Sequence, residues 1–295
     1  MPEEGTHLYE HADMLTLEEI IRVCGCMAKL GISRVKLTGG EPLVRKNVVW
    51  LTKQLLAIPG IEDVTMTTNG VLLKEHAKAL YEAGLSSINV SLDTLDRSRF
   101  AMLTRRDQYE TVLAGITAAK EAGMKVKINC AVTEHFQLPE VAEFAEYSVR
   151  NQIPVRFIEM MPIGQGQAFQ TLDNDVLLQS LKENYSDVTL TKQTMGNGPA
   201  VYYSFSDNQG CIGFISAVHH QFCSSCNRVR LTSDGYLKLC LAQEAGISLR
   251  DVMRQGITDG DLSETVKQII LQKPVSHQFG SGVRQPELTM NRIGG

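Results

Sequence analysis

The chain has 295 residues, of which 43% are hydrophobic and 21% charged, with a net charge of −4. That length suits one large domain or two ordinary ones, and that composition supports a sizeable core and excludes global disorder. The mild acidity leaves no electrostatic footprint for nucleic acid or a membrane surface, so any cationic site must be a local concentration. No apolar run is long enough to cross a bilayer and no signal peptide is recognisable. With 7 cysteines, an odd number, the expectation is a cytoplasmic protein whose thiols stay reduced and available for metal.

In chain order, the first half repeats one unit. A capping box, Thr16 to Glu19, opens the run IIRVCGCMAKL and predicts the first helix. Short alternating stretches then follow glycines at KLG-ISRVKLT (Gly31), IPG-IEDVTMTT (Gly60), EAG-LSSINVSLD (Gly84) and EAG-MKVKINCAV (Gly123). A fifth strand, PVRFIEMM, starts at Pro154. Glycine just past a helix supplies the left-handed residue that stops it. Strict alternation of helix and strand predicts an α/β fold with a parallel sheet. Five such units favour an incomplete (βα) TIM-like part-barrel over a flat doubly wound sheet. The loop TGGEP, Thr38 to Pro42, falls at the C-terminal end of the first of these strands, where barrel active sites lie. Its paired glycines let backbone approach a ligand, although most such pairs are only turns, and no P-loop is present.

The strands alternate. Val35, Leu37, Val64, Met66, Ile88, Val90, Leu92, Val126 and Ile128 form one set; Lys36, Thr38, Thr65, Thr67, Asn89, Ser91, Lys127, Asn129 and Arg156 form the other. Strand geometry puts each set on one face. The apolar face must meet the helices. The polar face then lines an interior that differs from the packed plug of an ordinary barrel, and a wide, wet cavity holding an anionic ligand offsets the cost of lining it with lysines. A solvated outer face is the competing reading, disfavoured because parallel sheets are covered on both sides.

Beyond Gly164 the pattern changes. GQGQAFQ reads as a linker, followed by a helix near Asp173 to Asn184, β-like runs DVTLT, AVYYSF and CIGFISAV, and helical segments near Ile247 to Gln255 and Leu262 to Leu271. The expected division is a part-barrel over 1–164 and an α+β region over 165–295, with SHQFGSGVRQPELTMNRIGG as a mobile tail.

Within that second region, Cys223, Cys226 and Cys240 lie in HHQFCSSCNRVRLTSDGYLKLC. A C-x-x-C pair with a third cysteine a short loop later is metal-ligand spacing. On spacing alone, structural zinc closed by His219 or His220 leads, a three-cysteine iron–sulfur cluster is second, and chance free thiols come last. Cys24, Cys26, Cys130 and Cys211 sit in apolar runs and read as small core residues. Cys24 and Cys26, two apart on a helix, point to different sides.

The motifs TGGEPL, TTNGVLL, INVSLDT, RFIEMMPIG, FCSSCNRVRLTSDG and the terminal IGG, in this order along the whole chain, resemble the GTP 3′,8-cyclases, the radical S-adenosylmethionine enzymes that begin molybdenum cofactor biosynthesis. The resemblance implies that Cys223, Cys226 and Cys240 hold a 4Fe–4S cluster whose open iron binds the guanine of GTP, which reverses the zinc-first order. It implies that Gly40, Ser91 and Met161 contact S-adenosylmethionine. It places Lys36, Thr67, Lys127, Arg228, Val229 and Arg230 at GTP contacts, with Arg156 lining the same cavity. Lys36 stands where arginine is expected, keeping the charge but losing the bidentate fork. Gly294 and Gly295 resemble a tail that reaches into the active site. GTP and a reductant are the implied partners; a homodimer is left open.

One departure matters. The family's second cluster, bound by C-x-x-x-C-x-x-C after the first barrel strand, has no counterpart in this sequence, and Met1 to Gly5 resembles the segment directly after that motif. The first strand of the barrel is therefore expected to be missing, Met1 to be an internal methionine, and this chain to be inactive alone, with no catalytic residue assigned. The competing readings are a non-catalytic GTP-binding iron–sulfur remnant and a zinc-structured binding protein.

Overall fold

The computed structural model describes residues 11–191, 195–277 and 279. The segment Met1 to Gly5 and the Gly294–Gly295 tail lie outside them. Strands β1 (Arg34–Leu37), β2 (Asp63–Thr68), β3 (Ser87–Ser91), β4 (Lys125–Val132) and β5 (Val155–Glu159) run parallel and in sequence order across one sheet. Three further strands complete it: β6 (Thr189–Leu190), β7 (Val201–Phe205) and β8 (Gly210–Ile215). The order is β1-β2-β3-β4-β5-β8-β7-β6, with β8 parallel to β5 and β7 antiparallel to β8. The sheet therefore continues across residue 164, and the region that follows contributes a sixth parallel strand.

The helices are α1 (Leu17–Lys29), α2 (Val48–Leu56), α3 (Leu73–Glu82), α4 (Arg97–Thr104), α5 (Tyr109–Glu121), α6 (Pro139–Asn151) and α7 (Asn174–Asn184). The predicted capping box opens α1, Thr16 N–H donating to Glu19 Oε2 at 2.8 Å and Glu19 N–H to Thr16 Oγ1 at 3.1 Å. The four joint glycines adopt φ of +89° (Gly31), +96° (Gly60), +100° (Gly84) and +99° (Gly123), where a Cβ would be strained. Each turn sets the chain into the next strand.

The two strand faces separate as the alternation predicts. Val64, Met66, Ile88, Val90 and Ile128 are fully buried in the main core with Leu55, Leu73, Leu80, Phe144 and Phe157 from the helices and β5. The opposite faces stay in register, with Lys36 beside Thr65, Thr67 beside Asn89, Asn89 beside Lys127, and Asn129 beside Arg156.

A second sheet of β9 (Arg230–Leu231), β10 (Tyr236–Lys238) and β11 (Gly246–Ser248) leads into α8 (Leu249–Arg254) and α9 (Asp259–Ile270). It has its own core, in which Leu237, Leu249, Met253, Leu262 and Val266 pack on Leu15, Val23, Cys26 and Met27. Helix α1 thus serves both cores: Cys24 faces the first and Cys26 the second. Polar ties reinforce the second contact, Arg22 to Asp259 at 2.7 Å and Arg254 to Glu19 at 3.0 Å.

Candidate nucleotide and cluster site

The polar face of the sheet carries the site. Arg156, on β5, is almost fully buried. Its Nε donates to Asn129 Oδ1 at 2.8 Å and its Nη2 to Asn89 Oδ1 at 2.6 Å, with a further contact from Nη2 to Asn129. Asn89 in turn donates to Thr67 Oγ1 at 3.2 Å. The phenol of Tyr202, on β7, also bonds Arg156. All these partners are neutral, so the guanidinium is oriented without being neutralised.

Other cations converge on it. Burial, and then the charges of Arg156, Lys127 and Arg228, push Lys36 down to about 8. Burial and Arg156 lower Lys127, burial lowers Arg228, and burial and Arg228 push Arg230 down to about 10 against the opposing thiolates of Cys226 and Cys240. On a flat sheet Lys36 and Arg156 would stand four strand spacings apart, about 19 Å. Arg156 is nevertheless the strongest charge acting on Lys36, so the sheet is curled and its polar side chains point inward, as in a part-barrel. Lys36 itself remains accessible to water at the cavity mouth. Among the described residues no carboxylate lies within ion-pair distance of Lys36, Lys127, Arg156 or Arg228. A concave wall of unneutralised cations suits a polyanion, and Arg can grip oxygens in pairs.

The thiols stand on the adjoining wall. Cys223 opens a 3-10 turn, Cys226 N–H donates to Cys223 O at 3.1 Å, and Cys240 follows β10. Arg228 lies over the Phe222 ring at 5.5 Å. All three thiols are free and partly exposed. Among the described residues, the three-ligand sets whose donor atoms all lie within 4.8 Å of one another are Glu159–Asp173–His219 and Asp173–Asp175–His220. The thiols form no such set, whereas one zinc at a Zn–S distance of about 2.3 Å would draw them that close. A cluster spreads its thiolates over separate irons, and the donors here fit that wider spacing. The histidine closure also fails: His219 Nδ1 pairs with Glu159 Oε1 at 2.9 Å and His220 Nε2 with Asp175 Oδ2 at 3.0 Å. Glu159 is fully buried and its other oxygen accepts the N–H groups of Val218 and His219, so it anchors the loop entering the cysteine segment.

Residues expected at an S-adenosylmethionine site gather at the C-terminal ends of strands. Gly40 lies in the loop after β1, Ser91 ends β3, and Met161 follows β5. Sequence reasoning missed what shapes that loop. Glu41 Oε1 accepts Leu43 N–H at 3.0 Å and Thr68 Oγ1–H at 2.7 Å, while Oε2 accepts Asn69 N–H at 2.7 Å. Gly39 takes φ +139°. Thr67 lies on the polar face. The Val229 side chain packs on the second core, so only its backbone is free to meet a ligand. Cys24, Cys26 and Cys130 are buried as expected. Cys211 is a correction: on β8 its neighbours Ile212 and Phe214 take the core side, which leaves the thiol near Lys127 and Tyr202, pushed up to about 11 by burial.

The Radical SAM superfamily matches residues 4–147, and the Molybdenum Cofactor Synthesis C family matches residues 153–279. The GTP 3′,8-cyclase of Clostridium perfringens (strain SM101) is 42% identical over 279 residues, spanning 95% of this chain and 86% of that protein. The GTP 3′,8-cyclase of Moorella thermoacetica is 41% identical over 299 residues, spanning 100% of this chain and 92% of that protein. Among solved structures, Streptococcus suis SuiB bound to S-adenosylmethionine aligns with a TM-score of 0.62 at 15% identity, over 88% of this chain and 62% of SuiB. At that identity the likeness is one of fold.

Proposed function

The chain belongs to the GTP 3′,8-cyclase family, and on that premise we propose that its curled polar face is a GTP site built for cyclisation of the nucleotide between ribose C3′ and guanine C8. The observation that carries this reading is the set of cations without carboxylate partners, which stands directly beside the three thiols. Lys36, Lys127, Arg228 and Arg230 take the triphosphate, with Arg156 held beneath it by Asn89, Asn129 and Tyr202. Thr67 and the Val229 backbone complete the pocket. Cys223, Cys226 and Cys240 hold a 4Fe–4S cluster against which the base is placed. Gly40, Ser91 and Met161 hold S-adenosylmethionine across the cavity, on a loop fixed by Glu41.

With S-adenosylmethionine and a reduced iron–sulfur cluster bound, the family's chemistry supplies a carbon radical that takes hydrogen from C3′. This chain's residues then have two tasks. The cations fix the phosphates, which sets the ribose. The cysteine wall fixes the base, which sets C8 relative to C3′. Positioning of this kind contributes much of the barrier reduction in a cyclisation. The thiols of a reducing cluster are not assigned to residues here, because the sequence contains no C-x-x-x-C-x-x-C. A reductant is a required partner, and a cytoplasmic setting keeps the thiols available. No helix among the described residues is long and apolar enough to cross a membrane. The division near residue 164 is then one of task within a single sheet: the barrel side binds S-adenosylmethionine and phosphate, and the later side binds base and cluster.

The test is anaerobic reconstitution followed by calorimetric GTP titration. Cluster-dependent GTP binding that is lost in Cys226→Ala supports the reading. Binding indifferent to the cluster, or none, sinks it.

A further inference from the structure

Lys273 belongs to none of the motifs above. Its Nζ donates to the carbonyl oxygens of Arg228 at 2.8 Å and Leu239 at 2.7 Å. Arg228 stands two residues past Cys226, and Leu239 directly precedes Cys240. One ammonium therefore ties together the two segments that carry the thiols.

The strand geometry shows why a tie is needed. The ladder between β9 and β10 pairs Leu231 with Leu237 and Arg230 with Lys238, then stops. Continued in the same register, it would set Val229 opposite Leu239 and Arg228 opposite Cys240. Beyond Arg230 the two strands separate around the thiols, and their carbonyls need another donor. The ammonium, with three N–H groups, supplies it to both strands at once. Lys273 is itself held in place. It follows the end of α9, its backbone N–H donates to Ile270 O at 3.0 Å, and α9 is anchored in the second core by Leu262 and Val266.

We propose that Lys273 is a positioning residue for the iron–sulfur cluster, setting the spacing between the Cys226 and Cys240 segments and placing a positive charge beside the cluster that favours its reduced state. Net charge and hydrogen bonding around a cluster set its potential, and groups behind the ligands govern how well they hold metal. The inference rests on the assignment of the cluster to Cys223, Cys226 and Cys240.

The experiment compares the full chain with Lys273→Met, Lys273→Gln, Lys273→Arg and Cys226→Ala after anaerobic reconstitution. It reads iron content, the rate of iron loss to a chelator, and the midpoint potential from an EPR-monitored titration. Lys273→Met should lose iron several-fold faster and titrate at a lower potential. Lys273→Arg should stay near the parent on both. Lys273→Gln keeps a donor without the charge, so its potential should fall while its iron loss changes less; it decides the matter if the methionine variant does not fold. Parent-like potentials in both neutral variants overturn the proposal. A parent chain that holds no cluster, or a Cys226→Ala chain that holds it as well as the parent, overturns the site assignment instead.

Discussion

Replacing Arg156 by methionine separates the phosphate wall from the rest of the site. The side chain is 7% exposed and its hydrogen bonds go to neutral groups, Asn129 and Asn89, so the fold bears the cost of a desolvated charge that a ligand would recover. Methionine keeps most of the volume and removes the charge. It leaves the Asn89 carbonyl, on a residue 2% exposed, without that donor, at a cost of about 1–3 kcal/mol. Asn129 is only partly buried and can turn to cavity water. Relief of the buried charge offsets part of the loss, so the free protein should melt within a few degrees of the parent. Binding should respond more strongly. A hydrogen bond to a charged group is worth about 1.5–3 kcal/mol, which corresponds to about 12- to 160-fold weaker GTP binding. Calorimetric titration of the reconstituted protein with GTP, inorganic tripolyphosphate and guanosine reads this directly. GTP and tripolyphosphate should weaken together while guanosine is unchanged. Equal losses for GTP and guanosine, or a GTP affinity within about threefold of the parent, would refute the placement of the phosphates on β5.

Lys36 gives a pH signature with opposite signs in the free and bound protein. Its pKa in the fold, about 8, lies below the model value of 10.5. Between those pH values the unfolded chain binds more protons, so the free protein should gain stability as pH rises. A neighbouring phosphate raises the same pKa, so GTP binding should take up a proton near pH 8–9 and weaken above it. Titrations in buffers of different ionisation enthalpy measure the uptake, and Lys36→Arg should abolish it. Gly213→Ala would put a Cβ 2.6 Å from the Tyr202 ring and 3.1 Å from Arg156 Cγ. It should cost about 1–3 kcal/mol in thermal unfolding and weaken GTP binding as well; an unchanged affinity would show that the Tyr202–Arg156 arrangement does not shape the site. Glu41→Ala removes the acceptor for Leu43 N–H, Asn69 N–H and the Thr68 hydroxyl. It should weaken S-adenosylmethionine binding at least about tenfold by equilibrium dialysis while leaving guanosine binding intact.

The polar interior was legible because strand period is local. Lys36, Thr67, Asn89, Lys127, Asn129 and Arg156 fall on one face whatever the strands do globally. The joint glycines were legible for a similar reason, each marking a left-handed backbone that few other residues tolerate. What escaped sequence reading is non-local. Nothing in CIGFISAV announces that it pairs with β5, and without that pairing Cys211 reads as one more core thiol. His219 and His220 looked available to a metal because their carboxylate partners, Glu159 and Asp175, stand 60 and 45 residues away. Tyr202 and Lys273 act through bonds to distant residues, and a single tyrosine in AVYYSF or a lysine past a helix carries no periodic signal.

The relation between the two walls follows from how the cores share α1. A nucleotide held by phosphate on one wall and by base on the other needs the walls at a fixed separation, since an error of an ångström in a near-attack geometry is costly. A linker alone would not give that. Here α1 is buried on one side against the β-sheet core through Cys24, and on the other against α8 and α9 through Val23, Cys26 and Met27. The same α9 leads into Lys273, which holds the thiol segments. A continuous path of packed side chains therefore runs from the phosphate-binding strands through α1 and α9 to the cysteine wall. Loosening its middle should disturb the cluster before the barrel. Val266→Ala, at a fully buried position of the second core, removes two methyl groups at a cost of about 1–3 kcal/mol. Chelator-driven iron loss should accelerate in that variant while tripolyphosphate affinity stays near that of the parent. If tripolyphosphate affinity falls in step with cluster stability, the two walls are not separately supported and α1 does not join two cores that can be perturbed one at a time.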